Sequence, residues 1–508
     1  MTEAKTTFND RKEIMKINTY AFGLLATLFL AGCNGNSESS GDIYVTDNST
    51  NTTADANSTS TVATTDNFCD SVEDAAFIVF NTNCTVGTLD GTIDEDYTLI
   101  EEVEYRLSGV VKVGAGNTEI NSAAEMQVII NDGVTLTIQP GTEIKGFSTG
   151  VLLVTRGSKL MAEGTSSKPI TFSSVTDADY DGMGEWGGVI VQGFAPQYGQ
   201  GGTGACYNPG EDWCNVLGEG GDFVKQFGGN VPEDNSGVIK YVRIAEGGYI
   251  AGPDDEINGL TLQGVGHGTV IEYIQVHNNL DDGIEWFGGT ANVKYAVLTN
   301  NDDDDIDFDQ GYMGNIQYAL IIKNQTSGAV PVGSNDPRGI ELNSSDEDYT
   351  PETAGVLANI TIVGGDAANS KSEFGMRLRG SVTAAIHNSA VSGYDETCAR
   401  IDDSDHDLDD NTPKIDTPIT MNNFLCDTVG VAFNKEDPID TATVIEETIT
   451  FDSNYGITNA SANVGATLID PYDNGSNFVF DQTSFIGAVD PSAATTWYEE
   501  WIIPGSVN

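Results

Sequence analysis

The stretch Val270-Ile271-Glu272-Tyr273-Ile274 recurs along the chain, and this repeat decides the fold. Further copies are Val238-Ile239-Lys240-Tyr241-Val242, Asn292-Val293-Lys294-Tyr295-Ala296 and Asn315-Ile316-Gln317-Tyr318-Ala319. The last three tyrosines in this series follow one another at spacings of 22 and 23 residues. A period of this length, with short strands and Gly, Asn or Asp at the corners, is typical of a parallel β-solenoid, in which each coil pairs its strand edges with the next.

A second short strand follows each copy of the repeat. Ile284 and Trp286, and likewise Ile306 and Phe308, alternate with acidic residues, which is the period of a strand with one apolar face. Aligning these second strands gives a column of charged positions: Glu285, Asp307, Glu341, Arg377 and Arg400. We interpret this column as a self-neutralising charge ladder on a solvated face; the alternative is an active site in which the arginines act beside Glu341.

Asparagines mark one corner of the predicted coils. Asn279, Asn301 and Asn324 fall at the same offset after the repeat tyrosines, again 22 and 23 residues apart. Stacked in this way, their amides are expected to hydrogen-bond along the solenoid axis. No long stretch outside the N-terminal leader has helical periodicity, so the sequence predicts an all-β solenoid.

The chain divides into five predicted regions. They are a signal peptide (1–32), a Ser/Thr/Asn-rich flexible tether (33–66), an N-terminal cap region (67–125), a parallel β-helix with insertions at 195–236 and 325–357 (126–443), and C-terminal coils with a cap (444–508). In the last region, Trp497 and Trp501 are expected to close the end of the core, because solenoids need caps.

The leader resembles a bacterial lipoprotein signal peptide. Leu30-Ala31-Gly32-Cys33 ends an uncharged run of twelve residues from Tyr20, which is too short for the roughly 20 residues of a membrane span. Cleavage before Cys33 would leave this cysteine to carry acyl chains such as palmitate, whether the chain starts at Met1 or at Met15. Because Asn follows Cys33 where Asp resembles an inner-membrane retention signal, we predict a lipid-anchored protein of the outer membrane, on the cell surface.

Cysteine content and charge fit an envelope location. Besides Cys33, the six remaining cysteines form three pairs that are close in sequence: Cys69 with Cys84, Cys206 with Cys214, and Cys398 with Cys426. An oxidising compartment would let them close as disulfides, although sequence alone does not fix the connectivity. The net charge of −55 argues against nucleic acid as a partner and suits cations or neutral ligands such as glycans.

Several stretches carry a family resemblance. The segment 132–146 alternates apolar and polar residues and turns at Pro140-Gly141; Trp186-Gly187-Gly188, Phe227-Gly228-Gly229-Asn230 and Phe485-Ile486-Gly487-Ala488 follow. From about residue 130 to 508, the chain resembles secreted and lipid-anchored bacterial β-helix proteins, among them outer-membrane lipoproteins of spirochaetes and proteobacteria. The resemblance implies a right-handed parallel β-helix at the surface, and it implies no agreed catalytic residues.

Acidic residues stack at the repeat offset. Asp281 is expected over Asp303, Asp282 over Asp304, and Glu285 over Asp307. Adjacent strands lie about 4.8 Å apart, so these like charges would repel one another. Bound calcium, which takes six to eight oxygen ligands, would relieve the repulsion. We therefore predict calcium at Asp281, Asp282, Asp303, Asp304 and Asp307; the alternative is a solvated acidic loop.

Two further acidic stretches follow the same reasoning. Asp177, Asp179 and Asp181, followed by Gly182, resemble an Asp-x-Asp-x-Asp-Gly calcium loop, but the usual acid at position twelve is absent because residue 188 is Gly. Alternating aspartates between 403 and 409 form the other stretch.

Two classes of function remain open. The first, which we predict, is a non-catalytic surface lipoprotein that binds, adheres or shields and is stabilised by calcium. The second is a carbohydrate-active β-helix enzyme, a polysaccharide lyase or glycoside hydrolase. Gly266-His267-Gly268 and Asp281-Asp282 are similar to polygalacturonase motifs, but their order is reversed, so we interpret His267 as a loop residue. A cleft that joins the acids to Arg377 or Arg400 would favour the enzyme, and a solvated ladder without a cleft would favour the binding protein.

Overall fold

The computed structural model describes residues 68–507, except 177–178, 199–209, 253–254, 324–336, 346–348, 366–372, 403–418 and 435–438. The predicted leader with Cys33, the tether, Cys206, Asp177, Asn324 and the acids at 403–409 therefore lie outside the described residues. Within the described part, no helix is both long enough and apolar enough to cross a membrane.

The described chain winds into a right-handed parallel β-helix, which confirms the predicted fold class. Its sheet I stacks nine short parallel strands: β7 (Val151–Val154), β10 (Val189–Gln192), β16 (Leu260–Gln263), β18 (Ile284–Phe287), β20 (Ile306–Asp309), β22 (Ile340–Asn343), β24 (Phe374–Arg379), β26 (Thr397–Asp402) and β28 (Val431–Asn434). Each strand pairs with the one in the next coil, so the backbone hydrogen bonds of the sheet run along the axis of the helix.

The other two sides of the helix are built by longer strands that bend in the middle. They are β13 (Gly237–Ala245), β17 (Val270–His277), β19 (Val293–Thr299), β21 (Met313–Ile322), β23 (Ala354–Val363), β25 (Thr383–Tyr394), β27 (Ile419–Thr428) and β29 (Ile439–Glu446). The predicted repeat register is confirmed, since Val238 pairs with Val270, Ile271 with Val293, and Val293 with Ile316.

The bend in seven of these strands, from β13 to β27, is a residue with left-handed backbone. Tyr241, Tyr273, Tyr295 and Tyr318 have φ values of 50°, 56°, 66° and 62°. Such values are unusual for a bulky residue. The cost is offset by stacking, because the ring centroids of successive tyrosines are 4.4, 4.4 and 4.9 Å apart. In the next three coils the same place is taken by asparagines, which tolerate this conformation better: Asn359, Asn388 and Asn423.

The core lies inside the coils and consists of stacked apolar side chains. Ile284 pairs with Ile306 and Trp286 with Phe308, and each of the four is at most 1% exposed. At the neighbouring corner, the backbone N–H of Asn279 donates to the side chain of Asn301 at 3.0 Å, so the two described members of the predicted asparagine stack are bonded along the axis. The amides do not bond each other as predicted, because those of Asn279 and Asn301 donate to Asp282 and Asp305.

Parallel coils begin earlier than predicted, so the assignment of 67–125 as a cap is wrong for most of that region. The first coils comprise β2 (Val86–Ile93), β3 (Tyr97–Leu99), β4 (Glu104–Val113), β5 (Thr135–Ile138), β6 (Glu143–Gly146), β8 (Lys159–Glu163) and β9 (Ile170–Ser174). β2 and β4 already pair in parallel. Alternate residues of both strands, such as Leu89 and Leu107, point into the core. Among the described residues, only a 3₁₀ helix (Phe68–Ser71) and the antiparallel β1 (Ile78–Phe80) precede them.

Three described segments depart from the coil path in the part of the chain up to residue 256. An α-helix, α1 (Ala123–Asn131), begins at Ser122, whose hydroxyl accepts from the N–H of Glu125. The predicted insertion at 195–236 contains an antiparallel hairpin, β11 (Trp213–Leu217) and β12 (Gln226–Gly229), and a second short hairpin follows with β14 (Ile250–Gly252) and β15 (Asp255–Glu256). The predicted insertion at 325–357 is wrong in its limits, because it includes β22, a strand in register with β20.

A buried arginine fixes the first hairpin to the helix. The side chain of Arg156 is fully buried and donates to the carbonyl oxygens of Gly116, Cys214 and Gly228 at 2.7–3.0 Å. Burial lowers the pKa of Arg156 to about 9. These bonds hold both strands of the hairpin against the turn that follows β7.

The C-terminal residues 447–507, here called the strap, do not cap the core as predicted. The strap contains a short 3₁₀ helix (Ala460–Ala462) and otherwise irregular chain that lies along the outside of the long strands. Trp501 packs edge-on against Tyr241 and Tyr273, with centroid distances of 6.0 Å, and Trp497 contacts Tyr295. The two tryptophans therefore cover the tyrosine stack instead of closing the end of the helix.

Side-chain amides of the coils hold the strap in place. Gln317 accepts from the backbone N–H of Asp481 at 2.8 Å and donates to its carbonyl at 2.9 Å. Gln275 accepts from the backbone N–H of Ile503 at 2.7 Å, and Asn359 donates to the carbonyl of Gly487 at 3.1 Å. An irregular chain can lie flat on a sheet in this way because its polar backbone groups find partners.

Two of the three predicted disulfides are present in the described structure. Cys69 is bonded to Cys84, and Cys398 to Cys426. Cys214 is also disulfide-bonded. Its predicted partner, Cys206, lies outside the described residues.

Candidate functional site

The outer face of sheet I carries the predicted charged column. Glu285 pairs with Asp307, Asp307 with Glu341, Glu341 with Arg377, and Arg377 with Arg400. Side chains alternate along each strand, so these five point away from the core while their neighbours point inward. Three acidic positions are thus followed by two basic ones along the axis.

The acidic part of this column is the floor of a cleft and not a flat solvated surface. The cleft has a volume of about 440 Å³ and is lined by nine acidic residues, two arginines and two apolar residues: Glu219, Glu256, Asp281, Asp282, Glu285, Asp303, Asp304, Asp307, Glu341, Arg338, Arg377, Ile250 and Leu280. One wall comes from the turns that precede β18 and β20. The two hairpins contribute Glu219, Ile250 and Glu256 to the lining of the cleft.

The turns before β18 and β20 place four of the aspartates. In the first turn, the amide of Asn279 donates to the carbonyl of Asp282 at 2.8 Å. The second turn stacks on it, and its Asp304 N–H donates to the Asp282 carboxylate at 2.9 Å. Gly283 is required for this stacking, because a Cβ there would lie 2.6 Å from the carbonyl of Asp305.

A buried lysine organises the second turn. Lys323 forms a salt bridge with Asp305 at 2.9 Å, and both side chains are at most 5% exposed. Its ammonium group also donates to the carbonyl oxygens of Asn301 and Asp303. Asp305 is therefore neutralised within the fold, whereas the carboxylates of Asp303 and Asp304 line the cleft.

Two groups of three acids bring their oxygens close together. One group is Asp281, Asp282 and Asp303, and the other is Asp282, Glu285 and Asp307. Within each group, one oxygen from each residue lies within 4.8 Å of the others. Oxygens on opposite sides of one calcium ion are about 4.6–5.2 Å apart, since calcium–oxygen distances are 2.3–2.6 Å. The spacing within each group therefore fits a single calcium ion.

Burial and mutual repulsion perturb the acids of the cleft. Burial raises the pKa of Asp281, and the adjacent Asp303 raises it further. Burial likewise raises the pKa of Asp282 and of Glu285, with neighbouring carboxylates acting in the same direction. The folded protein then retains protons that the unfolded chain releases, so without cations its stability falls as pH rises above about 4.

Arg338, which was not identified from the sequence, pairs with the acids at one end of the cleft. Its backbone N–H and its guanidinium bond the two oxygens of Asp304 at 3.0 and 3.2 Å, and the guanidinium also bonds Glu341. Arg379 donates to the other oxygen of Glu341 at 2.8 Å. Asp304, predicted as a calcium ligand, thus faces an arginine and belongs to neither group of three.

The other predicted residues do not join this cleft. Asp179 and Asp181 lie in neither group of close acids. Their loop is held by a hydrogen bond from Gly182 N–H to Glu246 and by one from Asn278 to the carbonyl of Tyr180. His267 lines a separate groove beside Lys294 and Phe478, so it is not brought together with the Asp281-Asp282 pair.

Comparison with known proteins agrees with the fold. A family described as a pectate-lyase-like beta helix domain matches residues 117–502. Similar solved structures include the periplasmic alginate epimerase AlgG, at 11% identity over 73% of this chain and 78% of that chain with a TM-score of 0.26. Another is the catalytic domain of a GH87 alpha-1,3-glucanase in complex with tetrasaccharides, at 11% identity over 68% and 64% of the two chains with a TM-score of 0.20. Similarity at this level carries no information on substrate or reaction. No curated protein matches the chain.

Proposed function

Because the chain belongs to the pectate-lyase-like beta helix family, we propose that it is a carbohydrate-active protein. In this proposal it cleaves an acidic polysaccharide by β-elimination, with calcium bound in its cleft. The observation that carries the proposal is the cleft on sheet I, which joins Glu285, Asp307 and Glu341 to Arg377. Such a cleft was the feature expected of an enzyme and not of a charge ladder.

Calcium makes an acidic substrate compatible with an acidic protein. The net charge of −55 repels a polyuronate, and the cleft itself carries nine acids against two arginines. Two of the acids, Asp304 and Glu341, are paired with Arg338. Calcium held by the remaining carboxylates would accept the substrate carboxylate as a further oxygen ligand, because calcium takes six to eight oxygens.

The residues of the cleft fit proton abstraction next to a carboxylate. In β-elimination a base removes that proton, the electron pair of the C–H bond forms a double bond in the sugar that remains, and the bond to the leaving sugar oxygen breaks. The leaving oxygen takes a proton from water. Calcium bound to the substrate carboxylate supplies stabilisation of the developing negative charge. Arg377, which lines the cleft one coil beyond Glu341, is the candidate base. It would take the proton as a neutral guanidine, so its ion pair with Glu341, whose carboxylate lies 3.8 Å from its Nη1, would have to be given up when the substrate binds.

Activity should depend on Arg377. With polygalacturonate or alginate and millimolar calcium, the protein should release unsaturated oligosaccharides, measured by their ultraviolet absorbance. Arg377→Ala should lower kcat by about a hundredfold or more, the usual size of a general-base contribution. As the matched control, Arg106→Ala, at a side chain 39% exposed on β4, should leave kcat unchanged. Equal rates for the two variants would refute the role of Arg377.

A non-catalytic binding protein is the second candidate. It is favoured by the bonds of Glu341 with Arg338 and Arg379, which neutralise that end of the column as a structural charge ladder would. A glycan array run beside the depolymerisation assay separates the two candidates. Binding of acidic glycans without any unsaturated product would support the binding protein and exclude the lyase.

The proposed location is the outer membrane, with a lipid anchor at Cys33 and the β-helix on the cell surface. The motif Leu30-Ala31-Gly32-Cys33 supports this location. Several acyl chains, at about 0.8 kcal/mol for each buried methylene group, would anchor the protein stably.

Loss of Cys33 should release the protein from the membrane. Cys33→Ser removes the thiol that acylation requires, so the variant should move from the membrane to the soluble fraction and take up no labelled fatty acid. Cys69→Ser, which breaks a disulfide of the folded part, serves as the control and should stay in the membrane fraction. A Cys33→Ser variant that still sediments with outer membranes, beside a wild type without label, would contradict the anchor.

A further inference from the structure

We infer that a groove separate from the cleft on sheet I binds a neutral oligosaccharide. This groove, here called the strap groove, lies between the start of β17 and the strap and has a volume of about 500 Å³. It is lined by residues 267–272, Asn292, Lys294 and residues 475–479, none of which lines the cleft. Its volume is typical of ligand sites, which run from about 300 to 1,000 Å³. The inference goes beyond the proposed function, because binding here requires no cleavage.

Both walls of the strap groove are fixed to one residue, Thr290. On the side of the coils, the backbone N–H of His267 donates to the hydroxyl of Thr290 at 3.0 Å. On the side of the strap, the amide of Asn474 donates to the carbonyl of the same Thr290 at 3.0 Å. The two walls meet at Gly475, where a Cβ would lie 3.4 Å from Nε2 of His267. The groove is therefore preformed, which lowers the entropy that binding costs.

The strap groove exposes apolar side chains to solvent. Val270 is 40% exposed and Val479 is 68% exposed, and Phe478 lines the same groove. Single exposed apolar residues are common, but several that come together among polar groups mark a binding surface. The C–H faces of a sugar ring are apolar and can pack on such a surface, in the way that other apolar groups do.

Polar side chains of the strap groove can both donate and accept hydrogen bonds. His267 and Asn477 line it, and neither side chain has a hydrogen-bond partner within the described part of the chain. A neutral imidazole and a side-chain amide each offer a donor and an acceptor. A hydroxyl group has the same double capacity, so the hydroxyls of a sugar can bond both residues.

The charges of the strap groove favour a neutral ligand. Lys294 is paired with Asp481 at 3.1 Å, and Glu272 is paired with Lys240 at 2.8 Å. A charged ligand would have to compete with one of these pairs, and an acidic one would also be repelled by the net charge of −55. Apolar surface, groups that donate and accept, and balanced charge together match the chemistry of a neutral sugar chain.

Calorimetric titration with hexasaccharides tests the inference. Cellohexaose, laminarihexaose, maltohexaose, mannohexaose and xylohexaose are the neutral probes, and hexagalacturonate is the acidic probe. At least one neutral probe should bind. Val270→Asp and Val479→Asp should each weaken this binding by about tenfold or more, because the ligand would cover a carboxylate that needs water. Val79→Asp, the same change at a valine that is 72% exposed on β1, is the matched control and should leave the affinity unchanged.

Several outcomes would overturn the inference. These are no binding of any neutral probe, unchanged affinity in both groove variants, and tighter binding of hexagalacturonate at the groove. Binding that is lost in Arg377→Ala but kept in Val270→Asp and Val479→Asp would place the ligand in the cleft and would also overturn it. Thermal unfolding checks that the variants are folded, and if Val270→Asp is destabilised, Val479→Asp decides.

The proposed function fails or stands by a different result. If the protein releases no unsaturated product from polygalacturonate or alginate while a neutral probe binds in the strap groove, the lyase is refuted and this inference stands. If unsaturated product forms while no neutral probe binds, the lyase stands and this inference is refuted.

Discussion

Replacing Ile306 by aspartate should lower the free energy of unfolding by about 4 kcal/mol or more, because it buries an unpaired carboxylate. Ile306 is fully buried in β20 and lies in register between Ile284 and Ile340 of the adjacent coils. Neither neighbour offers a hydrogen bond or an opposite charge. The loss is measured as a shift of the urea midpoint.

The control for this experiment is set by the structure. Lys294→Asp, at a polar position of the repeat, is unsuitable because Lys294 pairs with Asp481 at 3.1 Å and lies 5.3 Å from the centre of the Phe478 ring. Val79→Asp makes the same kind of change in β1, where Val79 is 72% exposed, and it should cost no more than about 0.5 kcal/mol. Equal midpoints for the two variants would contradict the register.

Truncation of Trp501 should cost about 3–5 kcal/mol, the usual loss for a buried aromatic side chain. Trp501 is 1% exposed and packs edge-on against Tyr241 and Tyr273, and its indole N–H donates to the carbonyl of Trp497. Trp501→Ala removes these contacts and uncovers the tyrosine stack. Thermal unfolding measures the cost, and hydrogen exchange on residues 497–507 shows whether the strap detaches.

Val479→Ala provides the comparison within the same segment. Val479 also lies in the strap but is 68% exposed, so its truncation should change the thermal midpoint little. If the two variants unfold at the same temperature, the strap does not stabilise the helix through Trp501.

The coil register was predictable because a solenoid repeats along one dimension. Once Tyr273, Tyr295 and Tyr318 are aligned, the partners of every nearby strand residue follow, and the column from Glu285 to Arg400 was placed correctly for this reason. The alignment gives the partners of each strand residue, but it does not show which residues from outside the repeat lie beside the strand. The preference for a solvated charge ladder was wrong for the acidic half, because Glu219, Ile250 and Glu256 come from hairpins outside the repeat and turn this half of the column into a cleft.

The strap and Arg338 were missed for a related reason. The strap has no repeat and little strand periodicity, so its sequence carries no sign that Ser506 contacts Gln275, 231 residues away. Arg338 lies two residues before β22, at the register position that Asp304 occupies before β20 and Asp282 before β18. It departs from the repeat in residue type, because an arginine replaces the aspartate of the earlier coils, so the pattern of stacked acids did not include its pairing with Asp304, 34 residues away.

The position of the strap sets an order of events during biosynthesis. Ile503 bonds a glutamine made 228 residues earlier, so the tyrosine side of the coils stays bare while the rest of the chain is translated. Coil stacking joins neighbours in sequence and can proceed as the chain emerges, whereas closure of this distant contact must wait. A chain that ends before Trp497 therefore displays a row of aromatic rings, which is the type of surface that chaperones and quality-control proteases recognise.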